Sequence, residues 1–95
     1  MLFRSMEITF DPGKRERTLR ERGLDFMDVP AVFAGRTYEW IDERFDYGEV
    51  RNTVVGRLSG RMVIIIWTPV GSARRIISMR KANEREQERY GKYLG

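Results

Sequence analysis

Apolar positions recur at two periods along this chain, and the changes between them lay out its elements. Met62 to Trp67 is apolar at successive positions and rich in β-branched residues, the pattern of a central strand covered on both faces. After a turn at Thr68-Pro69-Val70-Gly71, Arg74 to Lys81 alternates. Arg74, Ile76, Ser78 and Arg80 fall on one face, Arg75, Ile77 and Met79 on the other. Glu7 to Phe10 and Thr37 to Ile41 read as further strands, and so does Glu49 to Arg57, whose Arg51, Thr53 and Val55 share a face. Gly60 turns that last strand into the central one as a hairpin. A charged loop, Asp42 to Gly48, precedes it.

Helical signals occupy the gaps. Asp11-Pro12 is an N-cap followed by proline at the first helical position, and Gly23 is suited to close that helix after Arg22. This helix is polar all round, with Leu19 its one large apolar residue, so few tertiary contacts can hold it. Phe26, Val29, Val32 and Phe33 repeat at helical spacing and predict core; Pro30 requires that this helix either begins late or bends in its first turn. Asn83 with Glu86 opens a final helix to about Tyr90, docked by Tyr90 and Tyr93 and cut short at Gly91. The order β-α-α-β-β-β-β-α predicts one α+β domain over residues 1–95. Its antiparallel sheet has four to five strands, with two N-terminal helices and one C-terminal helix.

Composition removes several chemistries. The 95 residues include no cysteine and no histidine, which excludes disulfides, cysteine-histidine zinc sites and histidine-based acid-base pairs. No apolar run approaches the roughly 20 residues that cross a bilayer, so a soluble cytoplasmic protein is expected. The net charge of +4 is unevenly spread: residues 1–50 carry 8 Lys and Arg against 11 Asp and Glu, and residues 51–95 carry 10 against 3. A basic sheet and last helix suit a nucleic acid or an acidic protein. Lys14, in the first turn of a helix whose dipole favours anions there, either reaches into solvent or is aimed at an anionic ligand. The arginines of the strand 74–81 are either solvated or gathered to hold phosphate.

Five short stretches in order carry a resemblance: Phe10-Asp11-Pro12-Gly13-Lys14, Arg22-Gly23-Leu24-Asp25-Phe26, Val32-Phe33, Asp46-Tyr47-Gly48-Glu49-Val50-Arg51, and Arg75-Ile76-Ile77-Ser78-Met79-Arg80-Lys81-Ala82. Together they make the chain similar to the BrnT toxins of type II toxin-antitoxin systems, whose fold is RelE-like. The family usually has tryptophan at Phe10, asparagine at Thr18 and a His-Gly pair at Arg22-Gly23. The resemblance implies an endoribonuclease that inhibits translation by metal-independent RNA cleavage, without a cofactor. It also implies a BrnA-like antitoxin carrying a ribbon-helix-helix segment, through which alone the complex meets DNA. A catalytically degenerate member that binds antitoxin or nucleic acid without cleavage is the alternative.

Cleavage by the RNA's own 2′-hydroxyl needs a base, a proton source and cations at the phosphoryl group. Glu49 is the expected base, Arg51, Arg75 and Arg80 the expected stabilisers of charge, and Lys14 a further point charge or proton donor. Arg74, Ser78 and Lys81 are expected to bind RNA, and Tyr47 to stack on a base. Strict alternation puts Arg75 and Arg80 on opposite faces; they share one only if a bulge intervenes.

Overall fold

The structure, a computed structural model, describes residues 7–44, 46 and 48–95. Tyr47 and Met1 to Ser5 lie outside the described residues. The elements follow in the expected order: β1 (Ile8–Thr9), α1 (Pro12–Arg22), a 3₁₀ turn (Phe26–Asp28), α2 (Val29–Ala34), β2 (Tyr38–Ile41), β3 (Asn52–Leu58), β4 (Arg61–Val70), β5 (Ala73–Lys81) and α3 (Glu84–Leu94). They build one five-stranded sheet of order β1-β5-β4-β3-β2. The four longer strands pair antiparallel, as expected, whereas β1 joins the edge of β5 in parallel, making the sheet mixed.

Two apolar layers flank the sheet. On its first face Phe26, Val29 and Val32 bury completely against Val54, Val63, Ile65, Ile76 and Met79. On the second face Leu94 of α3 meets Val55, Met62, Ile64 and Ala82. Adjacent β3 residues Val54 and Val55 thus serve opposite layers, and β4 is lined on both sides, which explains its unbroken apolar run. Tyr38 stacks on Tyr93 at 4.2 Å, and Trp40 on Tyr90 at 5.2 Å, fastening the end of α3 over β2.

Pro30 stands in the first turn of α2, preceded by the 3₁₀ turn, so the helix begins late as one of the two expectations had it. Asp25 caps that turn by accepting from the Met27 N–H at 2.9 Å. Three expected boundaries move. β3 starts at Asn52, so Glu49 and Arg51 precede the strand instead of opening it. β4 continues through Pro69 to Val70, an edge-compatible position, and the turn falls at Gly71-Ser72. α3 passes Gly91 and ends at Leu94, whose burial outweighs the modest helix cost of one glycine.

Helix α1 buries none of its residues. Its start is capped by the Asp11 carboxylate, accepting from Gly13 N–H, and its end by Gly23 in the left-handed region at φ 69°. Two side-chain contacts moor it. The Arg15 fork grips Asp25 at 2.8 and 3.0 Å, holding that carboxyl below the ordinary range with help from Met27 N–H. The second contact is made by Arg22.

Candidate active site

Strand β5 decides where the cationic side chains go. Ile66 lies opposite Ser78 and Trp67 opposite Ile76, so Ile77 is an extra residue, a β-bulge. The bulge inverts the alternation: Ile76 and Met79, three residues apart, both enter the first-face core. Arg75, Ser78 and Arg80 therefore share the second face, opposite Thr68, Ile66 and Ile64 in turn. Arg74 goes to the first face, its guanidinium lying over Trp67 at 4.7 Å and Phe33 at 5.0 Å. The bulge that Arg75 and Arg80 need in order to share a face is thus present, and the strict alternation that would join Arg74 with Arg80 does not hold.

Sharing a face does not put these two in one pocket. Their β4 partners are four residues apart, about 13 Å along a strand. Arg80 borders a cleft of about 400 Å³ under α3, with Trp40, Thr53, Ile66, Glu86 and Tyr90, and Arg75 does not line it. Within that cleft the Arg80 fork is already taken: its two terminal nitrogens donate to both Glu86 oxygens at 2.8 and 2.7 Å. The same carboxylate accepts from Asn83 N–H at 2.9 Å, completing the capping box of α3. These bonds, the Arg80 contact above all, hold the Glu86 carboxyl below its ordinary range and push Arg80 up. Asp42 and Arg44 of the cleft are likewise bonded to each other, at 3.0 Å. Charges in this cleft are largely neutralised within the fold.

The opposite situation holds at the edge of β5. Among the described residues β1 pairs only with Arg74 and Arg75, and α1 rather than a strand lies beside the rest of the edge. Arg22 donates to the backbone oxygen of Met79 at 2.9 Å, supplying the hydrogen bond that a neighbouring strand would have given. Between helix and edge runs a groove of about 150 Å³ lined by Lys14, Arg17, Thr18, Glu21, Arg22, Ile77 and Ser78. The five α1 residues recur at helical spacing on one face, and the bulged Ile77 stands opposite them. No carboxylate pairs with Lys14, Arg17 or Arg22 among the described residues, in contrast to Arg15, Arg20, Arg44 and Arg80. Three cations, two hydroxyls and one carboxylate form a set that can bind a phosphodiester directly. No cluster of three acidic side chains able to hold a metal occurs among the described residues.

Three of the sequence landmarks, around Lys14, Arg22 and Ser78, thus meet in one groove although 64 positions separate the first from the last. Residues 10–86 match the profile of the family described as ribonuclease toxin, BrnT, of type II toxin-antitoxin system.

The chain belongs to the BrnT toxin family.

That membership brings an antitoxin partner and an RNA substrate, and the α+β architecture agrees with it. No curated protein matches the sequence. No helix of this BrnT toxin among the described residues is long and apolar enough to cross a membrane. Of the residues expected to act, Lys14 and Ser78 line the groove. Arg75 is exposed nearby on β5, and Lys81, also exposed, borders an open depression at the β3–β4 turn with Ser59, Arg61 and Gln87. Glu49 is exposed and Arg51 half-buried in the loop before β3, on the far side of β4 from the groove. The strands do not bring Glu49, Arg51 and Arg80 together with Lys14. Arg17, Thr18, Glu21 and Arg22 escaped sequence reasoning as a site; the signal available was a helix that is polar on every face yet ordered.

Proposed function

We propose that this BrnT toxin is an endoribonuclease that cuts RNA without a metal ion in the groove between α1 and β5, acting in the cytoplasm to stop translation. The observation that carries the proposal is the gathering there of Lys14, Arg17 and Arg22, none with a carboxylate partner among the described residues, beside the Ser78 and Thr18 hydroxyls. Such guanidinium and ammonium groups grip phosphate oxygens and stabilise the negative charge that develops at the phosphoryl centre. Arg75 and Lys81, exposed along the same strand, extend the track for flanking phosphates. The partner in this reading is a BrnA-like antitoxin with a ribbon-helix-helix segment, which covers the cations and carries the complex to DNA.

The test is cleavage of a labelled RNA oligonucleotide by purified protein in excess EDTA, with Lys14→Ala and Arg22→Ala beside wild type. Cleavage in EDTA that falls at least 100-fold in Lys14→Ala supports the proposal. For a 2′-deoxy oligonucleotide, which binds without being cut, the slope of log affinity against log salt should become shallower by about 0.7 for each cation removed. Activity seen only with added divalent metal, or unaltered variants, would refute it. Arginine at position 22, where the family usually has histidine, favours one second reading: a member that retains RNA or antitoxin binding but has lost cleavage. Binding with the stated salt dependence and no cleavage is its signature.

A further inference from the structure

Transphosphorylation requires a group that removes the 2′-proton, and the chain has no histidine to do it. Glu49, the carboxylate that the sequence pointed to, stands across β4 from the α1–β5 groove. Resting on the reading that this groove is the RNA site, we propose that Glu21 is its general base. Among the described residues Glu21 is the one carboxylate lining the groove, and it follows Lys14, Arg17 and Thr18 along a single helical face, with Ser78 across the gap. It enters no ion pair or hydrogen bond among the described residues, so its lone pairs are available to a ligand. This contrasts with Asp25, Asp42 and Glu86, each engaged bidentately by an arginine. Its place among three cations divides the chemistry between them, since the cations draw a phosphodiester in and the carboxylate contacts the ribose hydroxyl beside it.

The step balances without a co-reactant. Glu21 takes the 2′-proton; the 2′-oxygen forms a bond to phosphorus; the bond from phosphorus to the 5′-oxygen breaks with its electron pair. The departing oxygen receives a proton from the Lys14 ammonium. The products are a 2′,3′-cyclic phosphate and a 5′-hydroxyl, and exchange with water returns Glu21 and Lys14 to their starting forms.

The experiment compares single-turnover cleavage of an RNA oligonucleotide from pH 4 to 8 by wild type, Glu21→Gln, Glu49→Gln, Lys14→Ala and the surface control Glu88→Gln. Binding of the 2′-deoxy oligonucleotide is measured in parallel. Glu21→Gln should lose 100- to 10,000-fold in rate, the range for a positioned base, and its log rate should no longer rise with pH through the carboxylate range. Its affinity for the 2′-deoxy oligonucleotide should stay equal or increase, because a negative charge has been removed from an anion site. A merely structural role would weaken binding and leave the pH profile of the remaining activity unchanged. The base assignment is overturned if Glu21→Gln cleaves within threefold of wild type, if its acid limb persists, if Glu49→Gln alone flattens the profile, or if wild type does not cleave. Failure of the groove itself looks different: Lys14→Ala then binds and cuts like wild type, whatever Glu21→Gln does.

Discussion

Glu86 ties the last helix to the sheet, and removing its charge should measurably loosen the fold. Its carboxylate accepts from both terminal nitrogens of Arg80 and from Asn83 N–H. The side chains are 42% exposed at Arg80 and 21% at Glu86, so the pair lies between a surface ion pair, worth about 0.2–1 kcal/mol, and a desolvated charge-assisted contact worth about 1.5–3 kcal/mol. We take about 1–1.5 kcal/mol for the pair and about 0.5 kcal/mol for the cap, so Glu86→Ala should cost about 2 kcal/mol. For a domain of this size that lowers Tm by about 10 °C. Glu86→Gln, which keeps the shape, should cost about half as much. The acid dependence follows from Glu86's depressed folded-state pKa. Its stabilisation is complete above the unfolded value near 4.5 and disappears as pH falls through the lower folded value. Urea unfolding of wild type, Arg80→Ala, Glu86→Ala and the double variant at pH 7 and pH 3 measures all of this. The cycle at pH 7 should give a coupling of about 1 kcal/mol that shrinks at pH 3. A coupling within 0.3 kcal/mol of zero at pH 7 would refute the reasoning, as would an equal coupling at both pH values. Arg80→Ala consequently perturbs stability as well as charge, so its activity must be assayed well below its Tm.

Two further outcomes test the packing. A Cβ added at Gly56 of β3 would stand 2.6 Å from Val32 Cγ1 and 3.2 Å from Thr37 Cγ2; Gly56→Ala should therefore cost about 1–3 kcal/mol in urea unfolding, and wild-type stability would contradict the close approach of α2 to the sheet. Ser59, at φ 52° beside Gly60 at φ 81° in the β3–β4 hairpin, adopts a conformation that costs a side chain; Ser59→Asn or Ser59→Gly should raise stability by a few tenths to about 1 kcal/mol, and a loss would contradict the turn geometry.

The framework was legible in the sequence because strong local signals set it. Asp11-Pro12 and Gly23 bracket α1, Asn83 and Glu86 open α3, and the apolar run of β4 identifies the middle of the sheet. The parallel pairing of β1 was not, since a short alternating strand contains nothing that names its partner. The site was only partly legible. A one-residue bulge at Ile77 has no compositional mark, yet it exchanges the faces of Arg74 and Arg75. Glu49 had the right chemistry beside Arg51, but loop and strand order put both away from Lys14. Glu86 was visible as a cap and invisible as a partner for Arg80, because that contact depends on how α3 leaves the sheet.

Helix α1 contributes five groove-lining residues while placing none of its side chains in the interior. Substitutions along its outward surface therefore leave the scaffold intact, provided Arg15 and Arg22 keep their moorings. A descendant can rewrite this reactive wall, acquiring a new target or losing turnover, without having to rebuild the body that carries it.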